Sequence, residues 1–188
     1  MNFSINNNQI RFINNHTFEK KKIIKLGDSS FQIIIGKNTC FYSNSIIYHD
    51  NVIGSNNFIG HNTLIRNSNK IGNDVKIGSN TEIAFNCIIK DSVKIHSNCF
   101  ICEDSYIGKN VFLGPNVTFT NSKYPNKANS KQNLKSPIIE KNTVIGACSI
   151  IMPGIKIGSN VIIGAGSLVS KDIASNKTFF NKRIDNYY

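Results

Sequence analysis

Few side chains in this sequence are suited to chemistry, and what each could do depends on its type and its neighbours. The imidazole of His96, in "KIHSN" (residues 94–98), is the side-chain type most often used as a general base. Glu103, in "ICEDSY" (101–106), carries a carboxylate able to take the proton of an ammonium group or to hold an amine. Beside Asp104 it reads equally as a solvated surface carboxylate. Asn121 opens the stretch "TNSKYPNKANSKQNLKSP" (120–137), which holds four lysines and two prolines. Metal chemistry is poorly served. His16, His49, His61 and His96 include no close pair, and Cys40, Cys87, Cys99, Cys102 and Cys148 show no paired ligand spacing. An odd number of cysteines fits reduced thiols in or near a core better than a disulfide framework.

The elements that position these groups are written in a six-residue period. Large apolar residues recur at every sixth place from Ile35 to Phe119, fifteen in all. Six more run from Ile139 to Val169. The gap from Phe119 to Ile139 is 20 residues, not a multiple of six, so the register is lost once, at the lysine-bearing stretch. The residue after the apolar one is often glycine (Gly36, Gly54, Gly60, Gly114, Gly146, Gly164), and the fourth place is Asn, Asp or Ser from Asn38 to Asn116. A helix cannot use this period, because its apolar stripe recurs at three and four. Short strands joined by tight corners can: Asn and Gly tolerate left-handed backbone angles. The first position points inward and stacks on its equivalents in neighbouring coils. The expectation is an all-β parallel solenoid over residues 35–170, interrupted by a protruding loop at 120–137. Residues 1–34, with short alternating runs, are expected to form an N-terminal β cap. Residues 171–188 are expected to form a C-terminal tail over the last coil, where an open edge needs cover.

The formal charge is +11, which favours anionic partners. The lysines are dispersed apart from "EKKKIIK" (19–25), which speaks against a nucleic-acid groove. Apolar runs such as "FQIII" (31–35) are far too short to span a bilayer, and "MNFSINNNQI" lacks a signal-peptide core, so a cytoplasmic protein is expected.

The "IG-x-N-x-x" repeat resembles the hexapeptide repeat of left-handed β-helix acyltransferases. That resemblance implies the left hand, a triangular coil of three hexads and hence about seven coils here. It also implies a homotrimer with active sites between subunits. The segment "GPNVTFTNSKYPN" (114–126) resembles the "GP-x-x-x-FTN-x-x-x-P" segment of N-acetyltransferases that modify nucleotide-linked 3-amino sugars. The block from Ile138 to Ile173 resembles their C-terminal coils, so the likeness covers about residues 51–175.

The activity implied by the resemblance is that of an acetyl-CoA-dependent N-acetyltransferase. Its acceptor would be a nucleotide-linked amino sugar, a dTDP-3-amino-3,6-dideoxyhexose foremost and a UDP-amino sugar second, with a product feeding a surface glycan. Asn121 would lie beside the sugar amine or the acyl carbonyl, and Glu103 against the amine. Glu103 precedes Asn121 by 18 residues, one coil of three hexads, so the two would share a corner. Lys123 and Tyr124 would line the acceptor site. Coenzyme A would meet the backbone near Ala147, Gly164 and Ala165, with Lys171 at a phosphate. His96 is the base of an alternative reading, sugar or serine O-acetylation, with His61 a lesser candidate about two coils away. A third reading is a non-catalytic binding solenoid. No metal, nucleic acid or membrane partner is expected.

Overall fold

The computed structural model describes residues 2–5, 9–26 and 30–181. They form a left-handed parallel β-helix of about eight turns, one more than the repeat count predicts. The six-residue period becomes geometry through backbone pairing. On either side of the loop each two-residue strand bonds to the strand 18 residues further on, as in Leu64↔Glu82 and Ile65↔Ile83, and across the loop the spacing is 32, as in Tyr106↔Ile138. Three hexads therefore close one triangular turn, and the strands stack into three flat sheets. One face contains Ile46–Tyr48, Leu64–Ile65, Phe100–Ile101 and Thr118–Phe119; the other two contain Tyr106–Ile107 and Phe112–Leu113.

The expected inward column is present. Every apolar first-position residue from Ile35 to Val169 is buried, and together they form one continuous core. Each contributes roughly 1.5–3 kcal/mol of burial before ordering entropy is set against it. The fifth position also points inward and is small or polar for a reason the period alone does not supply. Where it is Asn, Thr, Ser or Cys its side chain bonds to corner backbone, and where it is Val it only fills the corner. Asn57 donates from Nδ2 to the Gly72 carbonyl at 2.9 Å and accepts the Val75 N–H on Oδ1 at 2.7 Å. Asn69 accepts the Cys87 N–H at 2.7 Å in the same way. Among the described residues no buried side-chain nitrogen or oxygen lacks a partner.

The corners correct one expectation. Left-handed angles belong to the fourth position, not to the second-position glycines. From Asn38 to Asn116 every fourth-position residue has φ between +55° and +65°, and Gly154 (+74°) and Gly166 (+69°) take the same role later. Fourth-position asparagines also bond to one another up the stack, Asn110 to Asn142 to Asn160 to Asn176, at 3.1, 3.0 and 2.9 Å. The second-position glycines supply room. A Cβ on Gly146 would lie 2.4 Å from the Ala165 nitrogen, and one on Gly78 2.4 Å from the Ser97 nitrogen.

The N-terminal cap is β-structure, as expected. Phe3–Ile5, Gln9–Phe12, His16–Phe18 and Lys22–Lys25 lie antiparallel over the first turn. Phe12 stacks on Phe41 at 4.4 Å and seals the core's end. At the other end the described part of the tail does more than lie across the last coil. Thr178–Phe179 pairs in parallel with Ile162–Ile163, after a spacing of 16 instead of 18, and so adds a rung. Residues 182–188 of the expected tail lie outside the described residues. Among the described residues no helix is long and apolar enough to cross a membrane.

Candidate active site

The chemistry-bearing residues sit on two different corners of the triangle. Glu103 follows Phe100–Ile101 and Asn121 follows Thr118–Phe119, on the same face one turn apart. Both are half-buried and share one corner column, which continues through Pro153 to the exposed Lys171. His96 instead follows Lys94–Ile95, on the preceding face. Its column, the histidine corner, also carries His61, Ala147, Gly164 and Ala165. One sheet face separates the two columns, and its outward residues include Phe100, Ile150 and Leu168, exposed by 39 %, 42 % and 47 %.

Regular pairing carries the chain up to the loop and no further. Thr120 still donates its N–H to the Ile151 carbonyl at 3.0 Å. At the next place the pattern breaks. The Phe85 carbonyl accepts the Asp104 N–H at 3.1 Å, whereas the Glu103 carbonyl accepts the hydroxyl of Ser136 from the far end of the loop. Lys135 donates its N–H to the Asn121 carbonyl at 2.9 Å, and its own carbonyl accepts the Gly154 N–H at 2.6 Å. Lys135 thus sits between Asn121 and the following turn. The two ends of the loop are clamped together at the corner, and Asn121 is braced by the strand before it and by Lys135 beside it. Sequence reasoning missed Lys135 and Ser136, because no period runs through the loop to reveal where it returns.

The loop forms one short 3₁₀ turn, Ser130–Asn133, and walls a cavity of about 750 Å³. Ser122, Lys123, Tyr124, Lys127, Lys135 and Pro153 are among its lining residues. That size falls within the roughly 300–1,000 Å³ of small-molecule sites. Lys123 and Tyr124, the two residues expected to line an acceptor site, are among those around this cavity, as are Lys127 and Lys135, which the sequence did not single out.

The histidines differ in how they are held. His61 Nδ1 lies 2.9 Å from Ser43 Oγ, and His49 Nδ1 lies 2.9 Å from Asp50 Oδ2 with its ring stacked on Phe31. The His96 ring is exposed and packs against Phe112 at 5.2 Å, with no hydrogen-bond partner among the described residues. A base benefits from an orienting partner, which His96 lacks among the described residues. Cys102, next to Glu103, is no nucleophile. Burial pushes its thiol pKa up, as it does for Cys87, to about 12, and Cys99, to about 11.

The small residues of the expected cofactor segment have a structural use. Gly114 makes room for the Ala147 backbone and Gly146 for that of Ala165. Above Gly164 the space is filled by Phe180, whose ring would lie 2.3 Å from an added Cβ.

The model for the bacterial transferase hexapeptide (six repeats) matches residues 86–121 and 136–171, on either side of the loop. The chain is a left-handed parallel β-helix of hexapeptide repeats, and the two blocks flanking its loop are similar to that family's repeats. It is 43 % identical over 70 residues to a galactoside O-acetyltransferase of Lactococcus lactis subsp. lactis (strain IL1403), a match covering 35 % of this chain and 33 % of that protein. The chain thus spans about a third of the curated relative it matches. Among solved structures it is similar to the acetyltransferase domain of PglB from Neisseria gonorrhoeae FA1090 in complex with acetyl coenzyme A. That likeness has 16 % identity, a TM-score of 0.46, and covers 73 % of this chain and 54 % of that one. It is also similar to AntD, an N-acyltransferase from Bacillus cereus in complex with dTDP and coenzyme A, at 19 % identity and TM-score 0.45, with 78 % of both chains covered.

Proposed function

We propose that the protein is an acetyl-CoA-dependent N-acetyltransferase acting on a nucleotide-linked amino sugar. The observation that carries this reading is the placement of Glu103 and Asn121 on one corner, one turn apart, where the loop that walls a lysine-lined cavity leaves the coil. A carboxylate and an amide fixed on rigid turns suit an amine; cations alongside suit the phosphates of a nucleotide. In the reaction the neutral amine attacks the thioester carbonyl carbon and the carbonyl oxygen takes up negative charge. The carbon–sulfur bond then breaks and coenzyme A leaves as the thiolate. Asn121 donates its amide N–H to that oxygen or holds the amine in line. Glu103 receives the proton that the nitrogen gives up on becoming an amide. Coenzyme A lies against the histidine corner by Ala147, Gly164 and Ala165, with Lys171 near a phosphate. Ala147, Gly164 and Ala165 stand one face away from Glu103 and Asn121, whereas Lys171 is on the corner column of Glu103 and Asn121. The working unit is therefore a homotrimer in which the histidine corner of one copy faces the loop corner of the next. The apolar face between the columns supports such packing. Within this reading the acceptor is a dTDP-3-amino-3,6-dideoxyhexose first, a UDP-amino sugar second, and the protein acts in the cytoplasm.

A second reading, O-acetylation of a sugar with His96 as base, is favoured by the match to a galactoside O-acetyltransferase. Thiol release from acetyl-CoA, followed with a panel of dTDP- and UDP-amino sugars and hydroxyl acceptors, separates the two. N-acetylation predicts turnover with an amine and a loss of about 10²- to 10³-fold in kcat/KM for Asn121→Ala. Turnover only with hydroxyl acceptors, abolished in His96→Ala and unaffected in Glu103→Ala, overturns it.

A further inference from the structure

We infer that the loop cavity is a diphosphate cradle, in which Lys127 and Lys135 act with Lys123 to bind the phosphates of a nucleoside diphosphate. The inference rests on the acetyltransferase reading only for the identity of that nucleotide, which is either the acceptor's or the 3′-phospho-ADP part of coenzyme A.

The charge arrangement carries the argument. Residues 120–137 contain four lysines and no acidic residue. Lys123, Lys127 and Lys135 line the cavity, and no carboxylate is among the residues that line it. Among the described residues the salt bridges are His49–Asp50 and Arg66–Glu82, so none of these lysines has an acidic partner. Tyr124 gathers two of them. Lys123 Nζ lies 5.6 Å and Lys127 Nζ 4.5 Å from its ring centroid. The two ammonium groups therefore lie within about 10 Å of one another, roughly a Debye length at 0.1 M salt, and their potentials add. A ring face attracts a cation without meeting its N–H donors, which stay free for phosphate oxygens. The third lysine is the best anchored. Its backbone is clamped between Asn121 and Gly154, and its side chain passes over Gly154, where an added Cβ would come 3.1 Å from Lys135 Cβ. That clamp ties the cradle to the residue proposed to face the reacting centre. Three ammonium groups around one cavity bind anionic oxygens as point charges, the role in which lysine serves phosphate.

The test titrates the full chain by calorimetry with dTDP, UDP, inorganic pyrophosphate and coenzyme A, and repeats each titration with Lys127→Glu and Lys135→Glu. Both side chains are exposed, and an unchanged melting temperature confirms that the coils are intact. The cradle predicts a loss of affinity of about tenfold or more for each reversal, together with weaker binding as salt is raised. Loss confined to dTDP or UDP assigns the cradle to the acceptor; loss confined to coenzyme A assigns it to the donor; loss of both assigns a shared anion site. Affinities unchanged in both variants, or no binding of any probe by the wild-type chain, overturns the inference. The two readings fail separately. Acetyl transfer by the wild-type chain with unaltered binding in the variants removes the cradle alone. Weakened binding in the variants without transfer to any acceptor by the wild-type chain removes the acetyltransferase alone.

Discussion

Replacing Gly146 with alanine asks whether the second-position glycines exist for the coil or for a ligand. The added Cβ would lie 2.4 Å from the Ala165 nitrogen, 2.7 Å from its Cα and 2.8 Å from the Gly164 carbonyl carbon, all of them backbone. Ordinary contact needs about 1 Å more, since carbon atoms pack best at roughly 3.5–4.0 Å. That displacement opposes the Gly146 N–H bond to the Ile163 carbonyl, now 2.8 Å. The corner can yield, because His96 carries a side chain at the same position of the same column. The cost therefore belongs to overpacking and not to loss of the fold, about 1–3 kcal/mol. For a chain of this length each kcal/mol lowers Tm by about 2–4 °C. Gly166 is the control. It has φ +69° and nothing within 4 Å of an added Cβ, and asparagine holds the corresponding left-handed place at Asn142 and Asn160. Gly166→Asn is expected to leave Tm within about 2 °C, because asparagine tolerates that conformation at little cost. Thermal unfolding followed by circular dichroism, paired with coenzyme A titration, measures both. If Gly146→Ala melts with Gly166→Asn while losing coenzyme A affinity, the glycine serves the ligand and the packing argument is wrong.

Two further expectations concern the core. Ile107→Ala, in the middle of the inward column between Ile89 and Ile139, should destabilise by about 2–5 kcal/mol in a denaturant titration. A thiol reagent at pH 8 should label the exposed Cys148 rapidly and leave Cys87, Cys99 and Cys102 unreacted until the chain unfolds. Burial raises those three thiols in the folded state, so the fold keeps them protonated while an unfolded chain releases their protons. Their contribution to stability is therefore complete below pH 9, the ordinary thiol value, and is lost as pH climbs towards the folded values of about 11 to 12. A melting temperature that rises between pH 9 and pH 11 contradicts this sign.

The repeat made most of the architecture legible before any coordinates. A side chain at the first place of a hexad can only point inward, since the chain turns a corner every six residues and the core is the one place an isoleucine column can be dry. The left-handed corners were legible for the same reason, though at Asn, Asp and Ser rather than at the second-position glycines. The polar fifth position was not, because its partners, such as Gly72 and Val75 for Asn57, lie 15 and 18 residues away on the next turn.

By itself the sequence determined the hexads, the inward column and the single break, because these depend on short-range periodicity and burial. It also placed Glu103 and Asn121 together once a turn of three hexads was granted. Only the tertiary structure decided that Ala147, Gly164 and Ala165, beyond the break in register, stand on another corner, that Phe180 covers Gly164, and that Lys135 returns to clamp Asn121 beside a lysine-lined cavity. The physical reason is one of range. A period of six assigns each residue to the inside or the outside of its own turn. The course of an aperiodic loop is set by hydrogen bonds such as that from Lys135 to Asn121, which form only after the coils beneath have stacked.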